Sequence, residues 1–393
     1  MGRHIASNFL TLLVVILIAA AGAVAWAQRQ YTGPGPLADA ICLRVEPGSN
    51  FRKVADSLVA QGAVSSGYIL KVGADYEEKS AGLKAGSFLI PPKASMQEIA
   101  AAITGDGQST CGTEINYRIG VLAGDIVVRE LDPATNAYVE VAKFDPASEP
   151  VPEVYAERLD DPSVRLRVTL AEGATSWQAV EGLKAIEILT GEVSAVPGEG
   201  RLAPDSYEIA RGDTRADLIE EMQRRQDAAL AKAWDERAAD LPYETPEEAL
   251  VMASIVEKET GIPEERRQVA SVFVNRLRQG MKLQTDPTVI YGLTKGQGAL
   301  GRGLRQSELR SDTPYNTYVI EGLPPTPIAN PGLASIEAAL NPDSTDYLFF
   351  VADGSGGHAF AETLDEHNEN VARWREIEAQ RGEEAEGGAQ DGG

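Results

Sequence analysis

An uncharged apolar run near the N-terminus constrains this chain more than any other feature. Phe9 to Ala27 spans 19 residues without a charged side chain. As an α-helix it extends roughly 28 Å, which is close to the hydrocarbon thickness of a bilayer. Trp26 stands near its end, where interfacial aromatic residues are typical. We therefore predict a membrane anchor through residues 9–27, within an N-terminal segment 1–30.

Two other interpretations of this run remain open. Its last residues, Ala25-Trp26-Ala27, are similar to a cleavable signal site, although signal h-regions usually have about 7–15 residues. The run is also compatible with a buried core helix. Arg3 and Arg29 give almost no charge asymmetry, so the positive-inside rule does not orient the helix. An anchor or a signal places the rest of the chain outside the cytoplasm.

The charge balance excludes duplex nucleic acid as a partner. The 393 residues include 36 Lys and Arg against 59 Asp and Glu, a net charge of −23. Binding to duplex nucleic acid depends largely on neutralising phosphates with basic side chains. Zinc sites usually need three or four ligands at short spacing, and His358, His367, Cys42 and Cys111 do not provide it. We expect no metal, no cofactor and no Cys–His nucleophile pair.

The two cysteines agree with an extracytoplasmic location. Cys42 and Cys111 are the only cysteines of the chain, and both follow the apolar run. In an oxidising compartment they form a natural pair, and closing a loop of this size contributes roughly 4 kcal/mol in the chain-entropy model. Two buried free thiols are the alternative.

Hydrophobic patterning predicts an α+β protein with several segments. A strand–helix pattern near Leu43 recurs once near Val168, which suggests two related half-units separated by alternating β sequence. The predicted order is a linker at 31–40, a first half-unit at 41–110, a β-rich insertion at 111–163, a second half-unit with a connecting helix at 164–240, a C-terminal domain at 241–377, and a disordered acidic tail at 378–393.

A buried helix that ends in carboxylates is the strongest candidate for chemistry. Thr245-Pro246-Glu247-Glu248 is a helix start with a capping box, and the run through Val256 is apolar on all sides. Glu257 and Glu259 follow, with Gly261 expected as the C-cap. The negative end of a helix and nearby apolar groups both disfavour a charged carboxylate, which raises its pKa. A protonated Glu near neutral pH can act as a general acid.

Helix geometry leaves the choice between the two carboxylates nearly even. Glu257 and Glu259 are about 200° apart around the helix, so they cannot form one catalytic pair. Spacing favours Glu259 only slightly, because it lies over larger apolar side chains. The alternative is a solvated helix end that pairs with Lys258 or Arg266.

Polar and aromatic residues in the following loops are typical of sugar binding, in which rings stack on pyranose faces and amides bond to hydroxyl groups. His358 lies on a Gly-rich loop from which it can reach a cleft, although a lone loop histidine more often has no function. The candidate substrate-binding residues are Asn275, Gln284, Asp286, Tyr315, Asn316 and His358.

Long sequence blocks resemble the MltG-type (YceG-like) endolytic murein transglycosylases. Ala253–Thr260, ASIVEKET, is similar to the signature of that family. The resemblance covers about Leu43–Trp374 and is strongest from Leu250 onward. The segment Gly112–Pro162 is longer and more β-rich than we expect in the family. The resemblance continues in order at Val269–Leu277, Leu283–Val289, Pro314–Tyr318, Gly322–Pro325, Phe350–Gly354 and Gly357–His358.

The resemblance implies one membrane-spanning helix in the inner (plasma) membrane, a LysM-like module formed by the two half-units, and a catalytic domain on the periplasmic or extracytoplasmic side. The family's catalytic residue is the second Glu of its EKET block, which is Glu259 here. The implied reaction cleaves the MurNAc–GlcNAc β-1,4 bond within nascent peptidoglycan strands and leaves 1,6-anhydro ends. It would serve glycan strand termination and wall assembly, with peptidoglycan synthases as further partners.

Two alternatives to a lytic transglycosylase remain. A hydrolytic muramidase would use Asp286 as the partner carboxylate of Glu259. A non-catalytic scaffold would bind peptidoglycan and recruit cell wall synthases without cutting the glycan.

Overall fold

The computed structural model describes residues 2–105 and 109–390, and the chain is α+β, as predicted. It divides into two compact units, the first formed by Met1–Asn116 and Ile126–Arg167, the second by Tyr117–Asp125 and Val168–Gly393. Residues 106–108 of the predicted first half-unit and residues 391–393 of the predicted tail lie outside the described part.

Helices and strands alternate in the N-terminal half of the chain. Three of its helices begin at polar N-cap residues. Asn50, Ser66 and Ser95 each accept a hydrogen bond from the backbone N–H three residues ahead, and Glu98 completes a capping box with Ser95. The elements are α1 Gly2–Thr32, β1 Ile41–Val45, α2 Phe51–Ala60, α3 Gly67–Tyr76, β2 Gly86–Ile90, α4 Met96–Thr104, β3 Thr113–Ile119, β4 Gly124–Asp132, β5 Ala137–Phe144, α5 Glu153–Leu159 and β6 Arg165–Leu170.

The strands of this part form two sheets. Strands β1 and β2 pair antiparallel, with Ile41 opposite Ile90. A five-stranded sheet has the order β5-β4-β3-β6-β7, in which β7 is Ser206–Ile209. The structure joins Cys42 of β1 to Cys111, just before β3, in a disulfide with the Cα atoms 5.6 Å apart. Within the predicted insertion at 111–163 the structure has the strands β3, β4 and β5, and α5 is a helix that the alternating pattern did not predict.

Helix α1 continues directly into the first unit. Phe9–Thr32 is long and apolar enough to cross a membrane, and none of its most apolar stretch is buried in the protein. The predicted linker at 31–40 is not free at its start, because α1 runs to Thr32, and Tyr31 and Leu37 are both buried in the core. Tyr31 also donates a hydrogen bond from its hydroxyl to Glu77, at 3.0 Å. Burial of the Tyr31 and Leu37 side chains stabilises an ordered conformation of the predicted linker.

The C-terminal half is mostly helical. Helix α8 is buried from Ala249 to Val256 and packs against α9 and α12. The elements are α6 Ser176–Ala185, β7, α7 Arg215–Asp235, α8 Pro246–Glu259, α9 Arg266–Arg278, α10 Asp286–Thr294, α11 Gln306–Leu309, α12 Leu333–Leu340, β8 Phe349–Ala352, β9 His358–Ala361 and α13 Leu364–Gln390, with 3-10 turns at Ser80–Gly82 and Pro263–Glu265.

One sequence expectation differs from this arrangement. Gly261 is not a left-handed C-cap, because Thr260 leaves α8 in an extended conformation and accepts a hydrogen bond at its hydroxyl from the Ile262 N–H. Pro287 lies in the first turn of α10, a position that suits proline. Helix α13 extends as far as Gln390, into the predicted disordered tail at 378–393.

Candidate active site

Helix α8 delivers Glu259 as its last residue. The helix begins at Thr245, whose hydroxyl accepts from the Glu248 N–H while the Glu248 carboxylate bonds back to the Thr245 N–H. Pro246 occupies the first turn, where its missing N–H costs nothing. Because the middle of α8 is fully buried, the position of its C-terminal turn is fixed by core packing.

The carboxyl group of Glu259 is held by one hydroxyl. Its side chain is half-buried, and the hydroxyl of Thr285 donates to Oε1. Burial raises the pKa of Glu259, and the negative charge of Asp286 raises it further. The Thr285 hydrogen bond and the positive charge of Arg276 oppose this rise. The net direction is upward, which favours the protonated form that a general acid needs.

The neighbouring charges of α8 have other partners. Glu257 accepts a hydrogen bond from the Gly332 N–H at 3.0 Å, and Lys258 donates to the carbonyl oxygen of Gly173 at 3.3 Å. Arg266 forms an ion pair with Glu172 at 3.5 Å. Lys258 and Arg266, the two cations that could pair with a solvated helix end, therefore bind other groups. Since neither is paired with Glu259, the arrangement favours Glu259 as the reactive carboxyl group.

A cluster of buried threonines fixes Thr285. The hydroxyl of Thr317 accepts from the Thr285 N–H at 3.0 Å and lies 2.9 Å from the hydroxyl of Thr288. All three threonines are at most 2% exposed. Sequence analysis did not single out Thr285, although it stands inside the quoted block Leu283–Val289.

Two of the predicted polar residues lie next to Thr285 in the chain. Asp286 is exposed and accepts a hydrogen bond from the hydroxyl of Tyr318 at 2.7 Å. Burial, followed by the Asp286 carboxylate, raises the pKa of Tyr318, so this phenol stays a donor. Gln284 is exposed and adopts a left-handed backbone, φ 51°, with its N–H bonded to the Thr317 carbonyl oxygen at 3.1 Å.

A buried arginine joins the segments around the carboxyl group. Arg276 of α9 donates from Nε to the carbonyl oxygen of Leu348 at 2.7 Å and from Nη1 to that of Leu283 at 2.6 Å. Its charge acts on both Glu259 and Tyr318. Sequence analysis did not single out Arg276, because no local pattern distinguishes it from other helix arginines.

His358 is anchored by a carboxylate. Its Nδ1 lies 2.7 Å from Oε2 of Glu265, and its backbone N–H donates to Oε1 of the same residue at 2.9 Å. The imidazole packs edge-on against Phe350, with ring centroids 5.3 Å apart. His358 is close enough to Glu259 for its charge to lower the pKa of that carboxyl group.

The remaining predicted residues form hydrogen bonds to backbone carbonyl oxygens or contact another aromatic ring. Asn275 donates to the carbonyl oxygens of Thr345 and Tyr347, at 2.8 and 3.0 Å. Asn316 is fully buried and donates to two backbone carbonyl oxygens of the preceding loop. Tyr315 contacts Tyr291, with ring centroids 5.1 Å apart. Binding of substrate by these three residues stays a prediction.

A cavity of about 650 Å³ opens beside the first half of α8. Leu250, Val251, Leu277, Pro324 and Pro325 are among its lining residues, and Glu259 is not. Since Glu259 stands at the opposite end of α8, we do not assign this cavity to the reacting bond. Among the described residues, no three His, Cys, Asp or Glu side chains are placed to hold a metal ion.

The comparison with protein families identifies the family of this chain. The model of the YceG-like family matches residues 43–373. The chain belongs to the YceG-like family. The match includes the carboxyl group of Glu259 and all of the threonine cluster around Thr285.

Similar proteins carry a function in their names. The endolytic murein transglycosylase of Bacillus subtilis (strain 168) is 41% identical over 173 residues, which are 44% of this chain and 46% of that protein. That of Streptococcus pneumoniae serotype 2 is 36% identical over 181 residues, 44% of this chain and 32% of that protein. The matches thus span about half the length of the first relative and a third of the second. A solved YceG-like protein from Listeria monocytogenes is 25% identical, with a TM-score of 0.44, over 84% of this chain and 98% of that chain.

Proposed function

We propose that this chain is a lytic transglycosylase that cleaves peptidoglycan glycan strands from within. The observation that carries the proposal is the desolvated carboxyl group of Glu259, which ends a buried helix and accepts a hydrogen bond from Thr285. The relatives named endolytic murein transglycosylase support the substrate. The bond cut is the β-1,4 linkage between MurNAc and GlcNAc.

In the first step Glu259 acts as the general acid. Its proton passes to the glycosidic oxygen while the bond from that oxygen to C1 of MurNAc breaks, and positive charge develops on the sugar. The carboxylate of Asp286, held by the hydroxyl of Tyr318, supplies negative charge beside this site. Such fixed charge stabilises an oxocarbenium-like state electrostatically.

In the second step the same carboxyl group acts as the base. Glu259, now a carboxylate, takes the proton of the C6 hydroxyl of MurNAc, and O6 forms a bond to C1. The 1,6-anhydro ring closes and Glu259 regains its proton, so no water is consumed. The Thr285 hydroxyl favours the carboxylate that must exist between the two steps.

The membrane location that we propose for the protein rests on helix α1. We place residues 9–27 of α1 across the inner (plasma) membrane as a single anchor, with the catalytic residues on the periplasmic or extracytoplasmic side. The disulfide between Cys42 and Cys111 is expected on that side. In this setting the half-units at 41–110 and 164–240 form a LysM-like module, and the enzyme acts on strands made by peptidoglycan synthases, ending their growth.

Product analysis tests the reaction. Wild type should release 1,6-anhydro products from purified peptidoglycan, and Glu259→Gln should lose this activity, by about 10²–10⁴-fold for a lost acid–base catalyst. Glu257→Gln is the matched control, because it makes the same change two residues earlier and keeps an oxygen for the Gly332 N–H. Undiminished activity of Glu259→Gln would exclude the assignment.

The same assay separates the alternatives. A hydrolytic muramidase leaves reducing ends, which are heavier than 1,6-anhydro ends by one water. Its activity would fall as strongly in Asp286→Asn as in Glu259→Gln. A non-catalytic scaffold would bind sacculi with no cleavage by any variant.

A further inference from the structure

Helix α3 carries an exposed apolar stripe that the fold of the first unit does not use. Tyr68, Val72 and Tyr76 are 79%, 47% and 90% exposed. They are spaced by four residues, so they share one face of the helix. Leu70 and Ala74, on another face of α3, are fully buried in the core. We call Tyr68, Val72 and Tyr76 the α3 stripe.

Helix α3 lies across the end of α1. Ser65, two residues before α3, lies within hydrogen-bond distance of Gln30 of α1, at 3.5 Å. Glu77, directly after α3, accepts from the hydroxyl of Tyr31 at 3.0 Å. Between these two contacts a side chain at Gly73 would overlap the ring of Tyr31. Both ends and the middle of α3 therefore meet the last turn of α1.

This contact fixes the height of α3 relative to the bilayer proposed above. Trp26 is the aromatic residue near the end of the apolar run, and Tyr31 follows it by five residues, or roughly 7–8 Å along a continuous helix. The headgroup layer on each side of a bilayer is about 5–7 Å thick. The part of α1 that α3 crosses thus stands at the outer edge of the headgroup layer.

We propose that the α3 stripe is a second membrane contact, in which Tyr68, Val72 and Tyr76 lie in the headgroup region of the bilayer that α1 crosses. The inference rests on the proposed placement of α1. Two tyrosines that flank a valine suit this depth, because tyrosine places an apolar ring and a polar hydroxyl at a membrane interface. A short amphipathic helix with an exposed apolar face binds in the plane of such an interface.

The consequence is a defined orientation of the first unit. A single spanning helix leaves a domain free to tilt, whereas a second contact with the bilayer beside it restrains the tilt. Tyr76 borders the α1-facing side of α3, about 60° from Gly73 around the helix, and Val72 and Tyr68 follow at about 100° and 140°. A lipid surface that surrounds α1 is therefore adjacent to the Tyr76 edge of the stripe.

Site-directed spin labelling tests this contact on the full chain in phosphatidylethanolamine–phosphatidylglycerol vesicles. Cys42 and Cys111 are bonded to each other, so an introduced cysteine is the single reactive thiol. Labels at Val72→Cys and Tyr76→Cys report on the stripe. Lys71→Cys is the control on the same helix, about 100° away from Val72. Leu17→Cys, in the middle of the apolar run, reports on α1 itself.

The expected result is loss of collisions with a water-soluble nickel chelate at positions 72 and 76 relative to 71, with collisions with oxygen retained. Chelate access at 72 and 76 equal to that at 71, with position 17 shielded, overturns the stripe contact and leaves the anchor intact. Chelate access at position 17 overturns both the anchor and the contact. An intact disulfide and an unchanged circular dichroism spectrum establish that each variant is folded.

Discussion

The hydroxyl of Thr285 donates a hydrogen bond to Oε1 of Glu259, across 26 residues of sequence. The acceptor is the last residue of a buried helix, and the donor is locked by its own contacts with Thr317. A single neutral donor leaves the carboxyl group able to hold or release its proton, whereas a paired cation would keep it charged. The arrangement suits a group that serves as acid and then as base.

Removing this donor should shift the pH dependence of activity. The Thr285 hydrogen bond favours the carboxylate and so lowers the pKa of Glu259. In Thr285→Val that pKa rises further, and the alkaline limb of the kcat/KM profile moves to higher pH. Thr285→Ser retains a hydroxyl and should keep the wild-type limb. Identical profiles for Val and Ser variants would contradict the role of this bond.

Neutralising Glu259 should make the protein more stable at neutral pH. The folded state raises the pKa of Glu259 above its unfolded value of about 4.3, so stability is lost as pH rises from that value through the folded pKa. Glu259→Gln does not titrate and keeps an acceptor for Thr285. Its melting temperature should exceed that of wild type at pH 7, and the difference should vanish near pH 4. The same change at exposed Glu264 controls for loss of one charge, and an equal effect there would contradict the prediction.

Substitution of Arg276 should destabilise the second unit. A lysine ammonium is a single nitrogen that does not reproduce the separate Nε and Nη1 donors, so we expect Arg276→Lys to lose at least one of the bonds to Leu283 and Leu348. The expected cost is about 1–3 kcal/mol in the free energy of unfolding, measured by denaturant titration in detergent. Arg278→Lys, on the exposed side of the same helix, should stay within about 0.5 kcal/mol of wild type. Equal losses of unfolding free energy in the two variants would show that the buried hydrogen bonds of Arg276 do not stabilise the unit more than the exposed ones of Arg278.

Opening the disulfide should weaken the first unit and spare the reaction. Cys42 and Cys111 close a loop with a sequence separation of 69, for which the chain-entropy model gives about 4 kcal/mol. The double Ser variant should therefore unfold at lower temperature. Its glycan cleavage at a permissive temperature should match wild type, because Glu259 and Thr285 belong to the second unit. Lost cleavage in a folded double variant would show that the disulfide acts on the site.

Local sequence signals predicted the elements that depend on neighbouring residues. The capping box of Thr245 and Glu248 gives the start of α8, and the all-round apolar character of the run predicts its burial. The alternating segment after Cys111 predicts β3, β4 and β5. The burial of Tyr31 was missed, because it depends on distant contacts such as the hydrogen bond to Glu77, 46 residues along the chain.

The sequence by itself determined that a buried helix ends in two carboxylates, that an apolar run long enough to span a bilayer precedes it, and that a cysteine pair follows that run. It could not separate Glu257 from Glu259 by spacing, because both stand at the same helix end. The family resemblance pointed to Glu259, and the tertiary structure supports that proposal by placing the Gly332 N–H on Glu257 and the Thr285 hydroxyl on Glu259. Hydrogen bonds and desolvation depend on which segments meet in space, and helix periodicity carries no information about residues 26 or 75 positions away.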